Sequence, residues 1–192
     1  MSNGSSGHFS GHGKAEFDIP AAFAGRILLA EAWGRKFGQG FSIHGDRTEG
    51  DITRREFVGE SGWGNEKAHL VIPAECHRLS ISKGVGKPGR WNVSLGELSD
   101  APELAADNSG TTSRIYAYHG EKIEADVDFE RHGAVWLYDF TWQEERKLIE
   151  HRDKFRGTIV IPGPGLVAVS GGHGGALRWG SLAKWRLTLR GE

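Results

Sequence analysis

The sequence predicts an all-β protein: an antiparallel β-sandwich, jelly-roll-like, built from two related β units with little helix. Three observations carry that reading. Short apolar runs alternate with polar residues along most of the chain, the period of half-buried strands. Twenty-nine glycines with seven tryptophans and nine phenylalanines favour a loop-rich β protein over a helical one. Finally, "HLVIPAECHRLSIS" (69–82) followed by "WNVSL" has the layout of "GTIVIPGPGLVAVSGG" (157–172) followed by "WRLTL".

In the order of the chain, "MSNGSSGHFSGH" (1–12) reads as a flexible polar leader without the apolar segment of a secretory signal. The first β unit spans 13–98. "FDI" alternates, and "AGRILLAEAW" is a longer strand opening at Gly25 and closing at Trp33. Residues 34–67 read as a further hairpin, with "FSIHG" and "ITRREFV" as strands and "DRTEGD" as the turn. "LVIP" stops at a proline that cannot donate to a ladder. "LSIS" and "WNVSL" then supply two more alternating strands. Residues 99–112, "SDAPELAADNSGTT", are small, acidic and turn-rich, and read as a connector.

The second unit, 113–192, repeats these landmarks. Leu70, Val71, Ile72 and Pro73 match Ile159, Val160, Ile161 and Pro162. Leu79 and Ile81 match Val167 and Val169, and Trp91, Val93 and Leu95 match Trp185, Leu187 and Leu189. Upstream, residues 12–33 are set against 119–142, aligning "FDI" with "VDF" and "AGRILLAEAW" with "GAVWLYDFTW". The charged run 143–157 is read as strand and turn. The repeated cores, Gly25–Leu95 and Gly133–Leu189, span 71 and 57 residues and are marginal alone; two small domains and one fused sandwich both stay open, with fusion preferred.

Composition narrows the function. The net charge is −1, with twelve basic against eleven acidic residues in each unit. Nucleic-acid binding by phosphate neutralisation is therefore disfavoured. A single cysteine, Cys76, excludes an internal disulfide framework and reads as a core or edge residue. No apolar stretch reaches the length of a transmembrane helix, so a cytoplasmic protein or leaderless export is expected.

No motif specifies chemistry. "HGDRTEGD" lacks the calcium-loop pattern and reads as a solvated hairpin tip. There is no zinc spacing, no phosphate-binding loop and no nucleophile elbow, and no cofactor is expected. "GKPGRW" (86–91) places Lys87 and Arg90 in an ordinary turn. Trp91, Trp185, Trp33 and Trp142 flank strands and read as core or half-buried structural residues. Trp63 in "SGWGN", Trp179 in "LRWGS" and His173 in "GGHGG" sit in predicted loops, where an aromatic or imidazole can meet a ligand.

The expectation is a non-catalytic binding or assembly protein that uses loop and edge-strand contacts to a protein partner or to itself. Carbohydrate recognition through the loop tryptophans is the alternative, and a small hydrolase the second.

Overall fold

The computed structural model describes residues 7–34, 40–49, 51–61, 66–83, 89–171 and 183–191. Every pairing between its named strands is antiparallel. Among the described residues the helical content is one 3-10 turn, Leu98–Asp100, and no helix is long and apolar enough to cross a membrane. The chain divides into two compact units, Met1–Glu97 and Leu98–Glu192.

Unit 1 contains β1 (His8–His12), β2 (Ala15–Asp18), β3 (Leu28–Gly34), β4 (Phe41–Glu49), β5 (Ile52–Glu60), β6 (Ala68–Ile72), β7 (Cys76–Lys83) and β8 (Arg90–Glu97). They form sheet A, in the order β1-β8-β3-β6, and sheet B, in the order β2-β7-β4-β5. Unit 2 contains β9 (Asp107–Gly110), β10 (Arg114–Tyr118), β11 (Ile123–Phe129), β12 (Gly133–Tyr138), β13 (Glu145–His151), β14 (Phe155–Ile161), β15 (Gly165–Gly171) and β16 (Trp185–Leu189). They form sheet C, β9-β16-β11-β14, and sheet D, β10-β15-β12-β13. Counted from the first strand of each unit, the two orders are identical. Both units are eight-stranded jelly rolls.

The repeat holds residue by residue. Ala30 pairs with Leu70 and Leu95, and Ala125 pairs with Ile159 and Leu189. Gly11 stands opposite Trp91 as Gly110 stands opposite Trp185. The fourth strand slips register after Ile43 in one unit and after Val135 in the other. A bulge at the same place in both copies bends the same edge.

Each unit encloses its own core, filled by the inward alternate residues of its two sheets. In unit 1 these include Leu28, Ile43, Leu70, Ile72, Leu79 and Trp91. In unit 2 they include Val127, Phe129, Val135, Ile161, Val169 and Trp185. Full burial of one such side chain contributes roughly 1.5–3 kcal/mol. Each unit thus has an interior of its own, filled from its two sheets.

Several boundaries differ from the sequence reading, for one reason. The expected leader contains β1, whose Phe9 faces inward and stacks on Phe17 with ring centroids 4.1 Å apart. The expected connector contains β9, which pairs with β16, and the buried Leu104. Both strands are short and rich in glycine, serine or asparagine, so their composition resembles a linker. With these strands the units run Met1–Glu97 and Leu98–Glu192. The upstream half of the repeat is also corrected by one strand. "FDI" lies on β2 but "VDF" on β11, so the true partner of β11 is β3 and that of β12 is β4. The hairpin of residues 34–67 is present, but β4 and β5 run on through most of the predicted turn.

Candidate functional site

Because side chains alternate, each sheet has an outer face whose residues the core does not dictate. On sheet B, β2, β7, β4 and β5 bring two rows of side chains together in direct register. One row is Glu16, Ser80, His44 and Phe57; the other is Asp18, Arg78, Asp46 and Arg55.

The second row alternates in charge and closes on itself. Arg55 donates Nε to Asp46 Oδ1 at 2.7 Å and a terminal nitrogen to Oδ2 at 2.9 Å. The same terminal nitrogen donates to Glu16 Oε1 at 2.9 Å. Arg78 donates to Asp18 at 2.8 Å. Asp46 is only 5% exposed, and the Arg55 guanidinium holds its carboxyl below the ordinary aspartate value against the opposing effect of burial. A two-point hydrogen bond to a buried carboxylate fixes the guanidinium plane.

The first row lies beside it, and its Glu16, Ser80 and His44 line a groove of about 500 Å³ with Lys14, Arg55 and Ser82. Ser80, 5% exposed, lines this groove. His44 Nε2 shares a hydrogen bond of 3.2 Å with Ser82 Oγ, and its ring meets Phe57 edge-on. Burial, reinforced by Arg55, pushes the imidazole below its ordinary pKa. At neutral pH His44 is uncharged and can both donate and accept.

The equivalent positions of unit 2 hold different chemistry. Ile115, Ala168, Trp136 and Lys147 replace the first row; Ala117, Leu166, Tyr138 and Glu145 replace the second. Ile115, Ala117, Ala168, Leu166, Trp136 and Tyr138 are all buried. The same topology, with the same bulge and an apolar inner face of like kind, carries a buried apolar outer face here. A solvent-facing sheet is ordinarily polar, so it is the mutual fixing of these groups, rather than their polarity, that sets sheet B apart.

The faces of sheets A and C are hydrogen-bonded alike. On sheet A, His8, Ser94, Glu31 and His69 form one row, with His8 Nδ1 and Ser94 Oγ 2.9 Å apart. A serine beside an imidazole is the first half of a nucleophilic pair. However, the carboxylate of this row lies on the far side of Ser94 from His8 and is engaged by His69 and Lys67. The row does not order into acid, base and nucleophile. On sheet C the matching row is Asp107, Thr188, Asp126 and Thr158, with both threonine hydroxyls donating to aspartates at 3.0 and 2.9 Å. Arg156, Arg186 and Arg190 each hold an acid on that face. Two grooves, of about 460 and 580 Å³, run over it; their arginines are engaged by aspartates as Arg55 is on sheet B, but no imidazole lines either of them.

Trp63, Trp179 and His173, and also Lys87, lie outside the described residues. Trp91 and Trp185 are core residues. Trp33 is half-buried on the outer face of sheet A, with Lys67 Nζ 5.0 Å from its ring centroid. Trp142 lies past the end of β12 in a turn at φ 59° and stacks on Tyr138. His44 is not at a hairpin tip but in mid-strand. Sequence reasoning passed over the groove residues because each is an ordinary outward residue on its own strand. Only the register across four strands assembles them, and the alternating pairs Glu16/Asp18 and His44/Asp46 were the available signal. Among the described residues no three histidine, cysteine, aspartate or glutamate side chains converge to hold a metal ion. No protein-family model matches the chain, and no curated protein matches it significantly.

Proposed function

We propose that the chain is a non-catalytic recognition protein whose ligand binds on the outer face of sheet B, in the groove between Lys14, Glu16, His44, Arg55 and Ser80. One observation carries this reading. Two jelly rolls share topology, register and core, yet the same eight outward positions are polar and pre-organised in one and largely apolar in the other. Apart from Asp46 the paired side chains are about half exposed or more, and exposed ion pairs contribute little net stability. A fixed guanidinium–carboxylate pair beside a groove does, however, orient donors and acceptors for a ligand. Recognition of a partner molecule supports the polar rows where folding does not.

The test is a fragment titration of the full chain followed by amide NMR, with a library of neutral, anionic and cationic small molecules. The expected result is a set of fragments that shifts the amides of residues 14–16, 44, 55 and 80–82 without being altered. Fragments that shift only other regions, or none that bind, would refute the proposal; so would chemical conversion of the fragments that bind.

A further inference from the structure

Resting on the recognition reading, we infer that the sheet B groove takes a neutral, polyhydroxylated ligand, a pyranose unit of a glycan. The argument is one of charge and hydrogen-bonding capacity. Lys14 and Arg55 supply two positive charges, Glu16 and Asp46 two negative ones, and His44 is uncharged at neutral pH.

An anionic ligand drawn to Lys14 would meet the Glu16 carboxylate on the same wall. A cationic ligand drawn to Glu16 would meet Arg55, which donates to that carboxylate at 2.9 Å. A sugar hydroxyl meets neither conflict, since it donates and accepts at once. It can donate to Glu16, accept from Lys14 or Arg55, and do either with Ser80, Ser82 and the neutral His44. The Arg55 guanidinium is held at three points by Asp46 and Glu16, so little side-chain freedom is lost when it meets a hydroxyl. At about 500 Å³ the groove falls within the size range of small-molecule sites and holds roughly one or two pyranose rings.

The experiment is a calorimetric titration of the full chain with two panels. The first holds neutral gluco-, manno-, galacto- and xylo-oligosaccharides; the second holds heparin and chondroitin sulfate. Two variants, Ser80→Ala and His44→Trp, place in the groove the residues that the same positions hold in unit 2, where the fold accepts them. The expected result is binding of a member of the neutral panel, with affinity unchanged between about 0.15 M and 1 M salt. It should weaken about tenfold or more in His44→Trp and several-fold in Ser80→Ala. Binding of the sulfated panel alone, falling with salt, would overturn the ligand class. Neutral binding undiminished in both variants would overturn the site. Silence from both panels would overturn the inference, and if other fragments still shift the groove amides the recognition reading survives it.

Discussion

Trp185 donates its indole N–H to the carbonyl of Thr112 at 2.8 Å, and the bond is buried. Its counterpart in unit 1 is Trp91, which donates to the Gly13 carbonyl at 3.0 Å. In each unit the tryptophan sits at the start of the eighth strand and reaches the turn after the first. An aromatic of the second strand packs against it, Phe17 in one unit and Tyr116 in the other. The indole thus joins the first, second and eighth strands, which enter the fold at opposite ends of the unit's sequence.

Replacing Trp185 by phenylalanine keeps most of the apolar contact but leaves the Thr112 carbonyl without that donor. Loss of one such hydrogen bond costs about 0.5–1.5 kcal/mol. Trp185→Phe is expected to lower the urea midpoint accordingly. Trp91→Phe should cost less, because the bond to Gly13 is only part-buried. Denaturant unfolding of the full chain checks both, and a Trp185→Phe midpoint equal to wild type would refute the role.

The tryptophans also show how far the sequence could be read. The match of "WNVSL" with "WRLTL" and of "LVIP" with "IVIP" survives to the residue, because in these strands bulky apolar side chains on the inner face repeat in kind. The upstream match fails by one strand because β2 and β11 share an alternating acidic pattern that fits any half-buried strand. β1 and β9 escaped notice because they are edge strands with little apolar content, and pairing rather than composition makes them strands. The groove was illegible for a related reason. Glu16, His44, Arg55 and Ser80 are scattered over 65 positions, from Glu16 to Ser80, and only the antiparallel register brings them together.

Gly11 offers a test of the packing around Trp91. A Cβ built there falls inside the van der Waals envelope of the indole ring, whereas at Gly13 it would meet nothing within 4 Å. Gly13 has φ +74°, so alanine there meets only backbone strain, of about 1 kcal/mol. Gly11→Ala must push a core tryptophan aside, for which overpacking costs are typically about 1–3 kcal/mol. The expected outcome is a larger loss of thermal stability in Gly11→Ala, with a change in tryptophan fluorescence that Gly13→Ala lacks. Equal losses without a spectral change would refute the contact.

Cys76 is 5% exposed, its sulfur lies beside Gly45, and burial pushes its thiol up to about 11. The thiolate is the reactive form, and at pH 8 almost none of it is present. Native protein is expected to leave Ellman's reagent unchanged over minutes, and urea-unfolded protein to react at once with one thiol per chain. Rapid reaction of the folded chain would show that β7 opens at this end.

Glu31 carries the clearest pH dependence. Its carboxylate lies 2.6 Å from Lys67 Nζ and 3.6 Å from the Nε2 of the buried His69. His69 and Lys67 together hold its pKa at about 2, against an ordinary 4.5. Because the folded-state value is depressed, the contribution to stability is complete above the unfolded-state pKa and disappears as pH falls through the folded one. The full shift sets a ceiling of about 3 kcal/mol. The glutamate is one-third exposed, and solvent screening brings the expected contribution down to about 1–2 kcal/mol. Glu31→Gln should therefore be less stable than wild type by that amount at neutral pH. The gap should hold down to about pH 5, and less than half should remain by about pH 3. Urea unfolding of both proteins across this range measures it. A difference that stays constant with pH would mean that the glutamine disturbs packing and that the charge on Glu31 contributes nothing to the fold.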